Sequence, residues 1–305
     1  MLKRSVCGIA LVFSLYAAGP AMAKDRPALA ASSPWTLDYD ADSCALRRRF
    51  GDGREAANLE LRRFSPGQDL QATISSSRMR VRRPVMFKYR FGSDGRWNDA
   101  GGAYAVTMVD GSSGVLFSPS LIDLPELDAL DREERAAYFK TLDMREVERE
   151  ASAKADSIAL RGAFGRELAL RLGSLEAPIA ALNECIDELM THWNIDVEAH
   201  KTLTRPARPV DFPESASMVG YPPKMVRQGM PGLVNIRLAI DQTGRITSCR
   251  IQMPLSDPEF EASSCADIQH AFEFEPALDK DGKPIASYWV TKVLFQIDAP
   301  FLRSN

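Results

Sequence analysis

From Trp35 onward, apolar and polar positions alternate in short runs. Trp35-Thr36-Leu37-Asp38-Tyr39 shows the pattern, and so does Ala45 to Phe50, before a Gly51-Asp52-Gly53 turn. Leu59 to Phe64, the stretch around Leu70 to Ile74, Val85 to Phe91 and Ala103 to Val109 repeat it, each bounded by Gly, Ser or Asp. A period of two broken by turn residues predicts an antiparallel sheet. Asp110 to Gly114 reads as one more turn. After Pro125 the texture changes. Asp131 to Glu150 is charged and lacks Gly and Pro, which predicts one or two surface helices. Ile158 to Leu160 and Glu167 to Leu172 predict returning strands. Ile179, Leu182, Ile186, Leu189 and Trp193 then fall at 3/4 spacing, the apolar stripe of a helix that Ser174 can cap.

Thr204 to Pro223 is rich in Pro and small residues and has no apolar period, so residues 201–220 are predicted to be a linker. Beyond it, Lys224 to Gln228 predicts a short helix ended by Gly229. Val234, Ile236, Leu238 and Ile240 mark one face of a strand, with Asn235 and Arg237 on the other. Asp241 to Gly244 is a hairpin turn, and Arg245 to Gln252 returns. A helix from about Pro258 to His270 carries Phe260 and Ile268, and a last strand runs through Trp289, Val293, Phe295 and Ile297.

Five short motifs punctuate this half: Tyr221-Pro222, Gly229-x-x-Gly232-x-Val234, Asp241-x-x-Gly244-Arg245-Ile246, Phe274-x-Pro276-Ala277 and Gly282-Lys283-Pro284-Ile285. In that order and spacing, residues 221–297 resemble the TonB C-terminal domain. The resemblance implies two helices on one face of a three-stranded antiparallel sheet. It also implies a strand edge that pairs with the N-terminal segment of outer-membrane receptors, which is recognition by β-augmentation. The edge strand would be Ser287 to Ile297. On it Trp289, Val293, Phe295 and Ile297 are expected in the core, leaving Tyr288, Val290, Lys292 and Gln296 as partner-binding candidates. The chain departs from the family in two places. Met253 to Pro258 stands where a Ser-Ser-Gly turn is usual, and no spanning helix with a long Pro-rich spacer precedes the domain.

The first 23 residues follow another logic. Lys3 and Arg4, an apolar run from Val6 to Ala18, Pro20, and Ala21-Met22-Ala23 make a secretory signal pattern with a cleavage site. No later segment reaches spanning length, so the mature chain is expected in the periplasm without a transmembrane helix. Two domains are expected, at 34–200 and 221–300, in an α+β fold. The first is mostly antiparallel β with helices, and the second is TonB-like. Losing Lys3 and Arg4 takes the formal charge from −3 to −5, a mild value that suggests no nucleic-acid partner.

Past the leader four cysteines remain: Cys44, Cys185, Cys249 and Cys265. In an exported chain an even number implies disulfides first and metal ligands second, and four allow three pairings. Proximity favours Cys249–Cys265, leaving Cys44–Cys185. No C-x-x-C pair indicates zinc.

Arg47-Arg48-Arg49, Arg62-Arg63 and the Arg78 to Arg83 run give residues 41–96 a basic excess. That excess is either a face for an anionic envelope polymer or surface, or the solvated side of a sheet. His192, Asp196 and His200 at i, i+4, i+8 would align as metal ligands only on an unbroken helix. The three histidines are not set beside Ser or Cys as a hydrolytic triad. The sequence therefore predicts a protein-binding or coupling module in TonB-dependent transmembrane transport, with no catalytic residue, metal or cofactor. The alternative is an envelope adaptor without energy transduction.

Overall fold

The computed structural model describes residues 27–67, 70–77, 79–81, 85–139, 141–162, 167–253 and 257–296. The signal segment expected at 1–23 lies outside them, as do Ile297 and the chain end.

The alternating runs pair as the pattern demands. β1 (Thr36–Tyr39), β2 (Cys44–Phe50), β3 (Ala57–Arg63) and β4 (Gln71–Ser76) form consecutive antiparallel neighbours. β5 (Phe87–Phe91) and β6 (Asn98–Asp99) leave for another sheet. β7 (Tyr104–Thr107) and β8 (Ser113–Phe117) return, giving a six-stranded sheet of order β1-β2-β3-β4-β8-β7. β8 lies where the sequence suggested only a turn. Its Gly114 is the reason: a Cβ there would stand 2.8 Å from the Ile74 carbonyl oxygen, so only glycine lets β8 close on β4.

α1 (Arg132–Phe139) and α2 (Met144–Lys154) occupy the charged stretch. Asp131 and Glu134 cap α1 reciprocally, since Asp131 Oδ1 accepts from the Glu133 and Glu134 N–H and Glu134 Oε2 accepts from the Asp131 N–H. β9 (Ser157–Gly162) and β10 (Leu168–Arg171) complete a second sheet, β10-β9-β5-β6. α3 (Glu176–His192) carries the predicted stripe, and Ser174 Oγ accepts from the Glu176 N–H at 3.2 Å. Ile179, Leu182, Ile186 and Leu189 share one core with Leu46, Leu59, Ile74, Phe117, Tyr89 and Leu160.

The C-terminal region holds α4 (Val197–Lys201), β11 (Arg208–Pro209), α5 (Phe212–Ser217), α6 (Pro223–Gln228) and β12 (Gly232–Ile240). β13 (Ile246–Met253), α7 (Pro258–Ala271), β14 (Phe274–Glu275), β15 (Ala277–Leu278), β16 (Pro284–Ile285) and β17 (Ser287–Phe295) follow. The sheet order is β13-β12-β17, all antiparallel. α6 stops at Gly229, whose φ of 62° is the left-handed conformation of a helix C-terminus. Met225, Phe260 and Ile268 from α6 and α7 pack with Val234, Ile236 and Leu238. That is the fold the resemblance implied.

The predicted linker is not free. The Thr204 N–H donates to the Leu278 carbonyl and the Leu278 N–H to that of Arg205, while β11 pairs with β14. Leu203, Ala207, Ala216 and Val219 join the C-terminal core. Pairings two residues long leave no periodic trace in a Pro-rich sequence.

Cys44–Cys185 joins β2 to α3 across a separation of 141 residues, and Cys249–Cys265 joins β13 to α7 across 16. In the loop-entropy model these closures are worth roughly 5 and 3 kcal/mol. Among the described residues no helix is long and apolar enough to cross a membrane.

A charged group lies inside the N-terminal core. Arg63 is 0% exposed and forks onto Glu148 at 2.5 Å, and it also donates to Asn183, which in turn donates to Glu148. Removing one partner strands the other in low dielectric. Glu148→Ala is therefore expected to lower the unfolding free energy by about 3–5 kcal/mol. Arg145→Ala, which breaks the solvent-exposed pair with Asp187, should change it by less than about 1 kcal/mol. Urea denaturation of both variants checks this, and equal losses would contradict the assignment.

Candidate functional site

β12 is the central strand, so among the described residues β17 pairs on one side only, through its nine residues. Along its other side runs a groove of about 350 Å³. Thr291 to Gln296 line it consecutively, so both side-chain parities reach it and the groove follows the strand edge, not one face. Its floor is aromatic. Trp289 packs 5.7 Å from Phe272, 5.3 Å from Phe274 and 6.1 Å from Phe212 between ring centroids. Phe212, 47% exposed, forms part of the opposite wall with Ala216 and Val219. Tyr221 closes one end, its ring 5.2 Å from Phe295 and its hydroxyl donating to the Met230 carbonyl at 2.5 Å. Burial raises the Tyr221 pKa.

Of the four predicted partner-binding residues, Lys292 and Gln296 are exposed and line this groove. The Lys292 ammonium also donates to Ser118 Oγ at 2.5 Å. Tyr288 is not on an open surface. It faces the N-terminal domain, stacked on His200 at 5.8 Å and edge-on to Trp193 at 6.0 Å. Val290 lies between Tyr288 and Lys292 on the same side of the strand, opposite Arg237 in register. Thr291 and the α5 wall were missed by the sequence reading. Their one signal was Val210 and Phe212, large apolar residues inside a segment otherwise typical of a linker.

The N-terminal domain covers the sheet face that α6 and α7 leave bare. Arg237, 8% exposed, donates to Asp42 Oδ1 at 2.7 Å and lies 4.2 Å over the Trp193 ring. Gln252 Nε2 donates to the carbonyls of Asp42 and Phe64 at 3.0 and 2.8 Å, and Asn235 donates to Gln71 at 3.4 Å. His200 Nδ1 is 2.7 Å from the Asp196 carbonyl, which can only accept, so Nδ1 carries the proton. On the neutral ring Nε2 then accepts from the Ser287 hydroxyl at 2.8 Å.

These contacts also account for the other candidates. His192 ends α3, Asn194 breaks the helix at φ 60°, and Asp196 caps α4 by accepting from the Ala199 N–H. The three residues therefore share no helix face, and no group that could hold a metal occurs among the described residues. The arginines near the N-terminal sheet are largely engaged inside the molecule. Arg47 pairs with Asp38 and Glu60, and Arg62, 2% exposed, with Glu60 and Ser43. Arg48 lies 5.4 Å over Trp35 and donates to two carbonyls. Arg47 and Arg49 nevertheless remain exposed. Arg78, Arg82 and Arg83 lie outside the described residues.

Burial, helped by nearby Asp187, pushes the Tyr288 phenol up to about 12. The folded state thus holds its proton where the unfolded chain, near 10, releases it. Stability should be unaffected by this group below pH 10 and fall between pH 10 and 12, by roughly 3 kcal/mol in all. Tyr288→Phe should remove that part of the alkaline decline in a denaturation series, and an unchanged decline would place the phenol in water.

Residues 218–297 match the family described as the Gram-negative bacterial TonB protein C-terminal, enclosing the 221–297 segment marked by the sequence motifs. No curated protein matches the chain.

Proposed function

We propose that this TonB-like domain is a periplasmic coupling module that takes an extended segment of a partner protein along the free edge of β17, in TonB-dependent transport across the envelope. The observation that carries the reading is the groove lined without interruption by Thr291 to Gln296. An incoming strand would satisfy the open backbone donors and acceptors of that edge, which supplies affinity without reference to sequence. Its alternate side chains would meet the aromatic floor around Trp289 and Phe272, which supplies selection. Receptor segments of the outer membrane are the partners that the family match favours. The two disulfides fit an oxidising compartment.

On this reading the chain binds and does no chemistry. The N-terminal domain has a positioning role, since it engages Tyr288 and, through Ser118, Lys292, and leaves the groove along Thr291–Gln296 to the partner.

Hydrogen exchange with and without a peptide from a receptor's N-terminal segment tests the proposal. Protection should rise at least tenfold across Thr291 to Gln296 and stay level in β13. Phe212→Ala, which removes part of the wall, should weaken peptide binding roughly tenfold, as aromatic anchors in such grooves do. A peptide that binds to saturation while exchange at Thr291 to Gln296 stays unchanged would place the site elsewhere.

A further inference from the structure

The outer face of the β10-β9-β5-β6 sheet shares no residue with the β17 groove. On β5, Phe87 and Tyr89 are 5% exposed and point to the core, so Lys88 and Arg90 point out. On β9, Ile158 and Leu160 are fully buried, so Arg161 also points out, opposite Lys88. Trp97, just before β6, lies among them. The Arg90 Cζ is 4.7 Å and the Arg161 Cζ 4.0 Å from its ring centroid. Two cations therefore sit against one indole, no farther apart than those distances combined.

Lys88 is neutralised by Asp99 at 3.0 Å. Arg90 and Arg161 have neither an ion pair nor a hydrogen bond among the described residues, and the Arg90 Nε is buried without a partner. Arg62 and Arg63 on the first sheet show the contrast, since each carries its own carboxylate. Contact with the indole restrains both side chains and spares part of the entropy that a flexible arginine would lose on binding. It does nothing to offset the repulsion between them. A tetrahedral oxyanion would, since guanidinium forks match phosphate oxygens in pairs.

An apolar prong stands at the start of β5: Met86 immediately precedes the strand and is 71% exposed. Phosphate-matching forks beside an exposed apolar side chain and an indole suit the boundary between headgroups and acyl chains. We propose that Arg90 and Arg161, stacked on Trp97, bind the phosphate of an anionic phospholipid headgroup and so hold the N-terminal domain against a bilayer. This site is independent of the β17 edge.

Sedimentation of the full chain with phosphatidylglycerol-containing and with pure phosphatidylcholine vesicles tests it, with wild type and variants carrying the same leader. Wild type should favour the anionic vesicles, and salt should weaken that preference. Arg90→Gln with Arg161→Gln should lower binding to them roughly fivefold for each guanidinium lost. Arg47→Gln, at an arginine paired with Asp38 and Glu60, should leave it unchanged. Thermal unfolding confirms that the double variant is folded, and if it is not, the exposed single change Arg161→Gln carries the test. Equal sedimentation of the variant and wild type would overturn the proposal, as would the absence of any preference for anionic vesicles. Saturation by inorganic phosphate without vesicle binding would also overturn it, by assigning the forks to a soluble anion.

Discussion

A three-stranded sheet with helices on one side has a second face, which must meet either water or another layer. In this molecule the second face is the joint on which the arrangement depends. Arg237, Asn235, Gln252 and Tyr288 project from it, and each finds its partner in the N-terminal region. Arg237 shows the physical logic. Its charge is taken almost wholly out of water, which is unfavourable unless a counter-charge and an electron-rich surface are already in place. Asp42 supplies the first and Trp193 the second. Because the joint is polar it is directional, and it fixes which end of β17 faces inward. An apolar joint of the same area would tolerate sliding.

The N-terminal domain solves a similar problem within its own core. The β3–α2–α3 cluster buries a complete guanidinium group, with Glu148 and Asn183 satisfying one edge of its fork. The neighbouring disulfide ties β2 to α3, and so anchors the helix that carries Asn183 against the sheet. One arginine of a run that looks like a surface feature thus specifies how α2 and α3 sit on the sheet. Arg90 and Arg161, which carry no carboxylate among the described residues, lie on a different strand pair, β5 and β9.

How far the sequence foretold this depended on the range of the interactions. Strong local periodicity gave the strands from Trp35 to Phe91, the α3 stripe and both long strands of the C-terminal sheet. The motifs from Tyr221 to Ile285 located a fold that periodicity alone would not have assembled. Proximity of Cys249 and Cys265 was enough to pair them, and the other bridge followed by elimination. Three features stayed hidden, each for a physical reason. β8 begins Ser-Gly because two backbones approach closely there, and this removes the alternation that marks a strand. The 204–217 segment is held by single backbone pairs and by α5, too short to show a period. The orientation of Tyr288 depends on a contact with α4 about 90 residues earlier in the chain, and strand parity says which residues share a face but not what covers it.

The pattern of the two disulfides bears on how the chain is made. Taken in order among the described residues, the first cysteine pairs with the second and the third with the fourth. A chain threaded N-terminus first into an oxidising compartment exposes its thiols in that same order. When Cys185 emerges, the thiol waiting for it is Cys44, and when Cys265 emerges, Cys249 is waiting. The native set can form by successive oxidation alone. An interleaved set would require wrong bonds to be made, attacked by a free thiolate and exchanged. Each bond also closes within one domain, so oxidation can finish one half while the other is still arriving.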